Sequence, residues 1–133
     1  MTDKRSQIQD VFFDGLISTY KHQMSPTIKA LHKCMNSKAF TLEHKTIRLS
    51  LPRGLGNTRL AIMLMNFYPE ATYLCHNKNN LIHVRKPLEG RQCLTMKDDP
   101  HGWSFKILVV DVPIQLQSNH IFDFESEFYF ILG

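Results

Sequence analysis

The segment FKILVVDV, residues 105–112, carries the clearest fold signal in the sequence. Residues 107–110 are all apolar, so a strand formed here would be hydrophobic on both faces. The segment EFYFILG, residues 127–133, repeats this pattern. Strands that are apolar on both faces are typical of the middle of a parallel sheet, which is covered on both sides.

The segments upstream alternate between strand and helix patterns. Alternating apolar and polar residues predict a strand over 45–51, and a second short strand is predicted over 71–77. Between them, residues 58–68 have helical spacing, and Pro69 ends the predicted helix. This order predicts an α/β fold with a mainly parallel sheet and flanking helices.

The segments after the second strand are less regular. The polar residues 77–80 are expected to form a turn, residues 81–86 fit either a strand or a helix, and residues 87–102 are the most loop-like. Residues 1–40 form a predicted N-terminal helical segment, which leaves 45–133 as the α/β core of a single domain.

The N-terminal segment contains two predicted helices. Residues 7–24 have amphipathic spacing. Ser25 is a candidate N-cap and Pro26 suits a first helical position, so a second helix is expected to run to about Lys38.

Composition indicates a folded, moderately basic protein. The chain has 133 residues, 43% of them hydrophobic, and a formal net charge of +4, which permits contact with nucleic acid or another acidic partner. Its three cysteines, Cys34, Cys75 and Cys93, form no close pair and are expected to be reduced thiols of an intracellular protein. Residues 1–10 are polar and no apolar run reaches the ~20 residues of a membrane span, so we expect a cytoplasmic protein without a membrane partner.

The turn LPRGLGNT, residues 51–58, follows a predicted strand and precedes a predicted helix. A phosphate-binding loop has the same context and the pattern G-x-x-x-x-G-K-[ST]. The turn retains the second glycine as Gly56 and the hydroxyl as Thr58, and it adds Gly54, but it lacks the first glycine and has Asn57 in place of the lysine. The alternative is an ordinary strand-to-helix turn.

Asp111 directly follows the apolar run of residues 107–110 in the predicted strand. In nucleotide-hydrolysing folds of this kind, an acidic residue at this point holds Mg²⁺, and in many families a catalytic glutamate follows it; here Val112 follows. Thr58 and Asp111 are therefore the candidate metal residues of a site for ATP or ADP with Mg²⁺. The candidate nucleotide-binding residues are Arg53, Gly54, Gly56, Asn57, Thr58 and Arg59.

Residues 45–133 resemble a reduced P-loop NTPase domain, similar to the ATPase core of the large terminases of tailed phages and to related helicases. Terminase loops often carry an arginine, as R-x-x-G-K-[ST], and Arg53 takes that position. The resemblance implies a phage protein in the host cytoplasm that interacts with ATPase, helicase or nuclease machinery.

The departures from this family fall on the catalytic groups. The lysine and the glutamate are both missing, and the loss of one such group costs on the order of 10²–10³ in rate. We therefore expect a non-hydrolysing module that acts by binding. The alternative enzyme is an oligomeric ATPase whose missing residues come from a neighbouring subunit.

Basic residues raise a second alternative, a nucleic-acid-binding module. The candidate contacts to nucleic acid or a partner are Arg48, Arg85, Lys86 and Arg91, with Tyr73 or Trp103 to stack a base. These residues also fit a solvated surface.

Two further patterns have ordinary structural explanations. Cys75, His76, Cys93 and His101 do not have the spacing of a familiar structural zinc site, and core thiols with surface histidines explain them better. The acidic segment DFESEF, residues 123–128, fits either a protein-docking edge or a surface turn before the last strand.

Overall fold

The structure is a computed structural model that describes residues 4–31, 36–49 and 56–133. These residues form five α-helices and five β-strands, in the chain order α1 (Lys4–Gln23), α2 (Pro26–Leu31), α3 (Ser37–His44), β1 (Thr46–Leu49), α4 (Asn57–Phe67), β2 (Ala71–Cys75), α5 (Lys78–Val84), β3 (Cys93–Thr95), β4 (Phe105–Asp111) and β5 (Ser126–Leu132). Two 3₁₀-helices, Ile114–Leu116 and Asn119–Asp123, lie between β4 and β5.

The strands form one sheet in the order β1-β5-β4-β2-β3, and every neighbouring pair is parallel. The fold predicted from the sequence, an α/β fold with a parallel sheet, flanking helices and an N-terminal helix, is therefore confirmed. β4 lies at the centre of the sheet, and its residues 107–110 are completely buried, as the two-sided apolar pattern predicts.

The two faces of the sheet are covered differently. Along β4, Ile107 and Val109 contact a cluster that also contains buried side chains of α1, α4 and α5. The alternate residues Leu108 and Val110 contact a second cluster, which includes Ile121 from the second 3₁₀-helix. Alternation along the strand therefore places α1, α4 and α5 on one face and the second 3₁₀-helix on the other.

The aromatic ring of Tyr20 holds α1 against the helical face. Its centroid lies 5.0 Å from the ring of Tyr68, which follows α4, and 4.8 Å from that of Phe128 in β5. These contacts cover the C-terminal part of the apolar stripe predicted for residues 7–24, where Leu16 is buried, whereas Val11 near the start of the helix is 70% exposed.

The predicted N-terminal cap of the second helix is also confirmed. Pro26 is the first residue of α2, and the backbone N–H of Ile28 donates to Ser25 Oγ at 3.4 Å. The prediction of one helix to about Lys38 is wrong, because Asn36 is not helical and a separate helix, α3, begins at Ser37.

The turn predicted at residues 77–80 is wrong, because α5 begins there. The side chain of Asn77 accepts hydrogen bonds from the backbone N–H groups of Asn79 and Asn80, and the Asn80 side chain accepts one from Asn77 N–H. This capping box satisfies the unpaired donors of the first turn, so a run of polar residues starts a helix. Residues 81–86, for which the sequence fitted either a strand or a helix, are therefore helical as far as Val84.

A short strand lies inside the segment expected to be a loop. β3 has three residues and pairs with β2 at the edge of the sheet, where Leu94 is the partner of Leu74. Three residues are too few to produce a recognisable alternation. None of the helices in the described part of the chain is long and apolar enough to span a membrane.

Candidate functional site

The start of α4 requires a glycine for two reasons. Gly56, which immediately precedes α4, has a φ of 85°, a left-handed conformation that residues with a Cβ adopt at a cost. A Cβ at Gly56 would also overlap the side-chain amide of Gln9, which is buried beneath the turn and donates from Nε2 to Gly56 O at 3.5 Å. Gly56 therefore allows α1 to approach the backbone at the start of α4.

Thr58 and Asp111 contact each other directly. Thr58 lies in the first turn of α4, Asp111 is the last residue of β4, and Thr58 Oγ1 donates to Asp111 Oδ2 at 2.7 Å. The two candidate metal residues, selected from separate motifs, thus lie together at the carboxyl end of the sheet. Ligands of open α/β sheets bind at this edge.

Tyr73 is a third member of this group. Its hydroxyl donates to the same Asp111 Oδ2, also at 2.7 Å, and the side chain is only 1% exposed. Burial, followed by the negative charge of Asp111, raises the pKa of the Tyr73 phenol well above its ordinary value. The phenol is therefore neutral at physiological pH and acts only as a donor to the carboxylate.

The role of Tyr73 could not be read from the sequence, where it was only a candidate for base stacking. The available signal was a phenolic hydroxyl inside an otherwise apolar strand, because a buried tyrosine hydroxyl usually has a hydrogen-bond partner. Identifying that partner required the pairing of β2 with β4.

Cys75 and Val112 limit the chemistry at this edge. Cys75 is the register partner of Asp111, and burial, followed by the charge of Asp111, raises the pKa of its thiol to about 12. The thiol is therefore protonated at neutral pH and is a poor nucleophile. Val112, at the position of the glutamate that follows the acidic residue in many families, is completely buried.

The donor set at Thr58 and Asp111 fits a magnesium ion shared with phosphate. Mg²⁺ prefers oxygen ligands and is usually bound through one or two carboxylates, several waters and the phosphates of a substrate. Within the described ranges, no group of three or more His, Cys, Asp or Glu residues is placed to hold a metal ion. One carboxylate and one hydroxyl therefore suit a cation that a phosphate ligand helps to bind.

Only some of the other candidate nucleotide-binding residues lie in the described part of the chain. Asn57 is the first residue of α4 and is partly buried, and Arg59 is exposed in the same turn. Arg53 and Gly54 lie outside the described residues, as do Cys34 and most of the turn at 51–58.

Arg91 is used inside the fold. Its Nη1 donates to Met65 O at 2.5 Å, and its Nη2 lies 2.9 Å from Tyr68 O, 3.2 Å from Pro69 O and 3.0 Å from Ala71 O. The guanidinium thus joins the end of α4 to the start of β2 by binding one carbonyl group of the helix, two of the connection and one of the strand.

The other three candidate contact residues lie near the surface. Arg48 is exposed on β1, where it donates to Gln117 at 3.4 Å and lies 5.8 Å from the centre of the Phe122 ring. Arg85 and Lys86 are exposed just after α5. Arg48 is on one edge strand, whereas Arg91 precedes the other, with β5, β4 and β2 between them. Arg48 is therefore separated from Arg91 by the width of the sheet.

Comparisons with protein families, curated proteins and solved structures found no significant match to this chain.

Proposed function

We propose that this protein binds a magnesium–nucleotide complex, ATP or ADP, at the carboxyl end of its sheet, and that it acts as a non-hydrolysing binding module. The observation that carries this proposal is the 2.7 Å hydrogen bond from Thr58 to Asp111. It joins the hydroxyl of the loop motif to the acidic residue of the strand motif, as a shared Mg²⁺ site requires.

The start of α4 supports phosphate binding. An α-helix has unpaired N–H groups and a partial positive charge at its N-terminus, and both favour a phosphate group. α4 has 11 residues, and the glycine before it lets the backbone turn sharply at the edge where Thr58 and Asp111 meet. The N-terminus of α4 would hold the phosphates of the nucleotide, and Thr58 and Asp111 would hold Mg²⁺, which would neutralise part of the phosphate charge.

The surroundings of Asp111 argue against efficient hydrolysis. A P-loop enzyme needs a cation on the outer phosphates and a residue that orients or activates water. Asn57 replaces the lysine, Val112 is buried, and the neighbouring Tyr73 and Cys75 remain protonated at neutral pH. We therefore expect turnover slower by several orders of magnitude than that of a complete P-loop enzyme.

A binding module of this kind acts by presenting a nucleotide-dependent surface to another molecule. The resemblance to terminases and helicases favours a protein partner in an ATPase, helicase or nuclease machine, and a phage origin. The oligomeric ATPase completed by a neighbouring subunit predicts Mg²⁺-dependent turnover that rises with protein concentration. The nucleic-acid module predicts binding that weakens steeply with salt.

Calorimetric titration with MgADP and MgATP tests the proposal. Wild-type protein should bind with micromolar affinity, Thr58→Ala should bind at least tenfold more weakly, and Thr58→Ser should stay close to wild type because it keeps the hydroxyl. Absence of heat from the folded wild-type protein at millimolar nucleotide would refute nucleotide binding. Equal affinity of the alanine and serine variants would refute the role of the hydroxyl.

A further inference from the structure

The Asp111 carboxylate is held from two sides through one oxygen. Thr58 in α4 and Tyr73 in β2 both donate to Oδ2, each at 2.7 Å. Both hydrogen bonds that the described residues make to this carboxylate end on Oδ2. Among the described residues Oδ1 accepts no hydrogen bond, so this oxygen and the lone pairs of the Thr58 hydroxyl can accept from a hydrated cation.

The register of the sheet explains why Tyr73 reaches Asp111. Tyr73 is the partner of Val109, and Asp111 lies two residues further along the same strand. Side chains two residues apart in a strand point to the same face, so Tyr73, Val109 and Asp111 share the helical face of the sheet. The length of the tyrosine side chain carries its hydroxyl along this face to the carboxylate.

Tyr73 restrains the carboxylate more firmly than Thr58 does. The phenol ring is fixed by complete burial in the core cluster between the sheet and the helices. The Thr58 side chain, in contrast, is only partly buried at the start of a helix. A fixed donor on one oxygen limits the rotation of the carboxylate, and hydrogen bonds of this kind orient metal ligands in general.

We propose that Tyr73 is a positioning residue for a divalent cation, Mg²⁺ or Mn²⁺, bound at Thr58 and Asp111. This inference rests on the metal part of the proposed function and adds a residue that neither sequence motif contains. Tyr73 does not touch the cation; it fixes the orientation of the carboxylate toward it. Loss of such an indirect partner typically weakens metal binding by about 10–100-fold.

The test uses Mn²⁺ alone and follows the paramagnetic broadening of the backbone amide signals of Thr58 and Asp111 by NMR. Tyr73→Phe keeps the ring in the core and removes the hydroxyl, and it should raise the Mn²⁺ concentration for half-maximal broadening about tenfold. The control is Tyr129→Phe, because Tyr129 is 2% exposed and donates to Phe124 O at 2.7 Å on the opposite face of the sheet. This control should lose stability without any change in Mn²⁺ affinity.

A double-mutant cycle separates positioning from a general structural effect. In an Asp111→Asn background, where Mn²⁺ binding should be much weaker, adding Tyr73→Phe should have no further effect on it. The same spectra show whether each variant is folded. If Tyr73→Phe were unfolded, Tyr73 could be replaced by 3-fluorotyrosine, whose more acidic hydroxyl is a stronger donor and should change Mn²⁺ affinity measurably.

The outcomes distinguish this inference from the proposed function. Equal Mn²⁺ affinity of wild type and folded Tyr73→Phe would overturn the role of Tyr73 and leave nucleotide binding intact. Mn²⁺ binding that depends on Tyr73, in a protein that does not bind ADP, would support the inference and refute the proposed function. Absence of selective broadening in the wild-type protein, both with Mn²⁺ alone and with Mn²⁺ and inorganic phosphate together, would overturn the inference, because no cation would be bound at Asp111.

Discussion

Replacing Arg91 by alanine is expected to lower the free energy of unfolding by about 3 kcal/mol, because the guanidinium joins the end of α4 to the start of β2. Nη1 binds one carbonyl, and Nη2, which has two hydrogens, lies within 3.2 Å of three. The side chain therefore supplies about three effective hydrogen bonds. Hydrogen bonds from a charged donor contribute about 1.5–3 kcal/mol each, and water can replace the more exposed ones, which leaves a total near 3 kcal/mol.

Two variants give this prediction its controls. Arg91→Lys keeps the charge but replaces the planar fork with a single ammonium group, so it should recover about half of the lost stability. Lys86→Ala removes an exposed cation from the same turn region and should change stability by no more than about 0.5 kcal/mol.

Urea unfolding followed by circular dichroism measures these differences, and thermal unfolding provides a second estimate. For a chain of this length, about 3 kcal/mol corresponds to a fall in Tm of roughly 10 °C. If Arg91→Ala were as stable as Lys86→Ala, the hydrogen bonds to the four carbonyls would contribute nothing, and the structural role of Arg91 would be refuted. A loss of nucleic-acid binding at unchanged stability would instead support Arg91 as a contact residue.

Other variants test the turn before α4, the cap of α5 and the buried thiol. Gly56→Ala should lower the free energy of unfolding by about 1–2 kcal/mol, because the new Cβ would sit on a left-handed backbone and overlap the Gln9 side chain. Part of this loss should disappear in a Gln9→Ala background. If the loss were the same in both backgrounds, steric contact with Gln9 would not contribute. Asn77→Ala should lower the free energy of unfolding, measured in urea, by about 1 kcal/mol, because it removes the cap of α5. The control Asn79→Ala, at an exposed position, should lower it much less. Equal losses would show that the cap does not stabilise the protein. The pKa of the Cys75 thiol is raised from 9.0 to about 12 in the folded protein, so the folded state retains its proton more strongly than the unfolded state. The contribution of this thiol to the free energy of unfolding should therefore be constant below pH 9 and fall between about pH 9 and 12. Cys75→Val should make the free energy of unfolding fall less steeply with pH over this range. An unchanged pH dependence would show that the thiol does not cause it.

The parts of the fold that followed from the sequence are those set by local pattern. The apolar runs of β4 and β5 indicated buried parallel strands, and Ser25 with Pro26 indicated the start of α2. Thr58 and Asp111 were each selected from the sequence as candidate metal residues, whereas their direct hydrogen bond is visible only in the structure.

The features that could not be predicted depend on contacts between distant segments. Tyr73 joins the site only because β2 lies beside β4 in a particular register, and Arg91 meets carbonyl groups of the α4–β2 connection that are 20 or more residues away in the chain. The start of α5 was missed for a local reason, since polar residues that usually indicate a turn form a capping box there.

The strand order also has a consequence for biosynthesis. β1 pairs with no strand except β5 among those described, and this pairing aligns Thr46 with Tyr129. As the chain emerges from the ribosome, β4, β2 and β3 can associate first, while β1 has no neighbour until residues 126–132 have been made. Closing so long a loop is slow, and it leaves apolar strand edges exposed in the meantime. Completion of the sheet is therefore a late step in folding, at which a chaperone would have its greatest effect on yield.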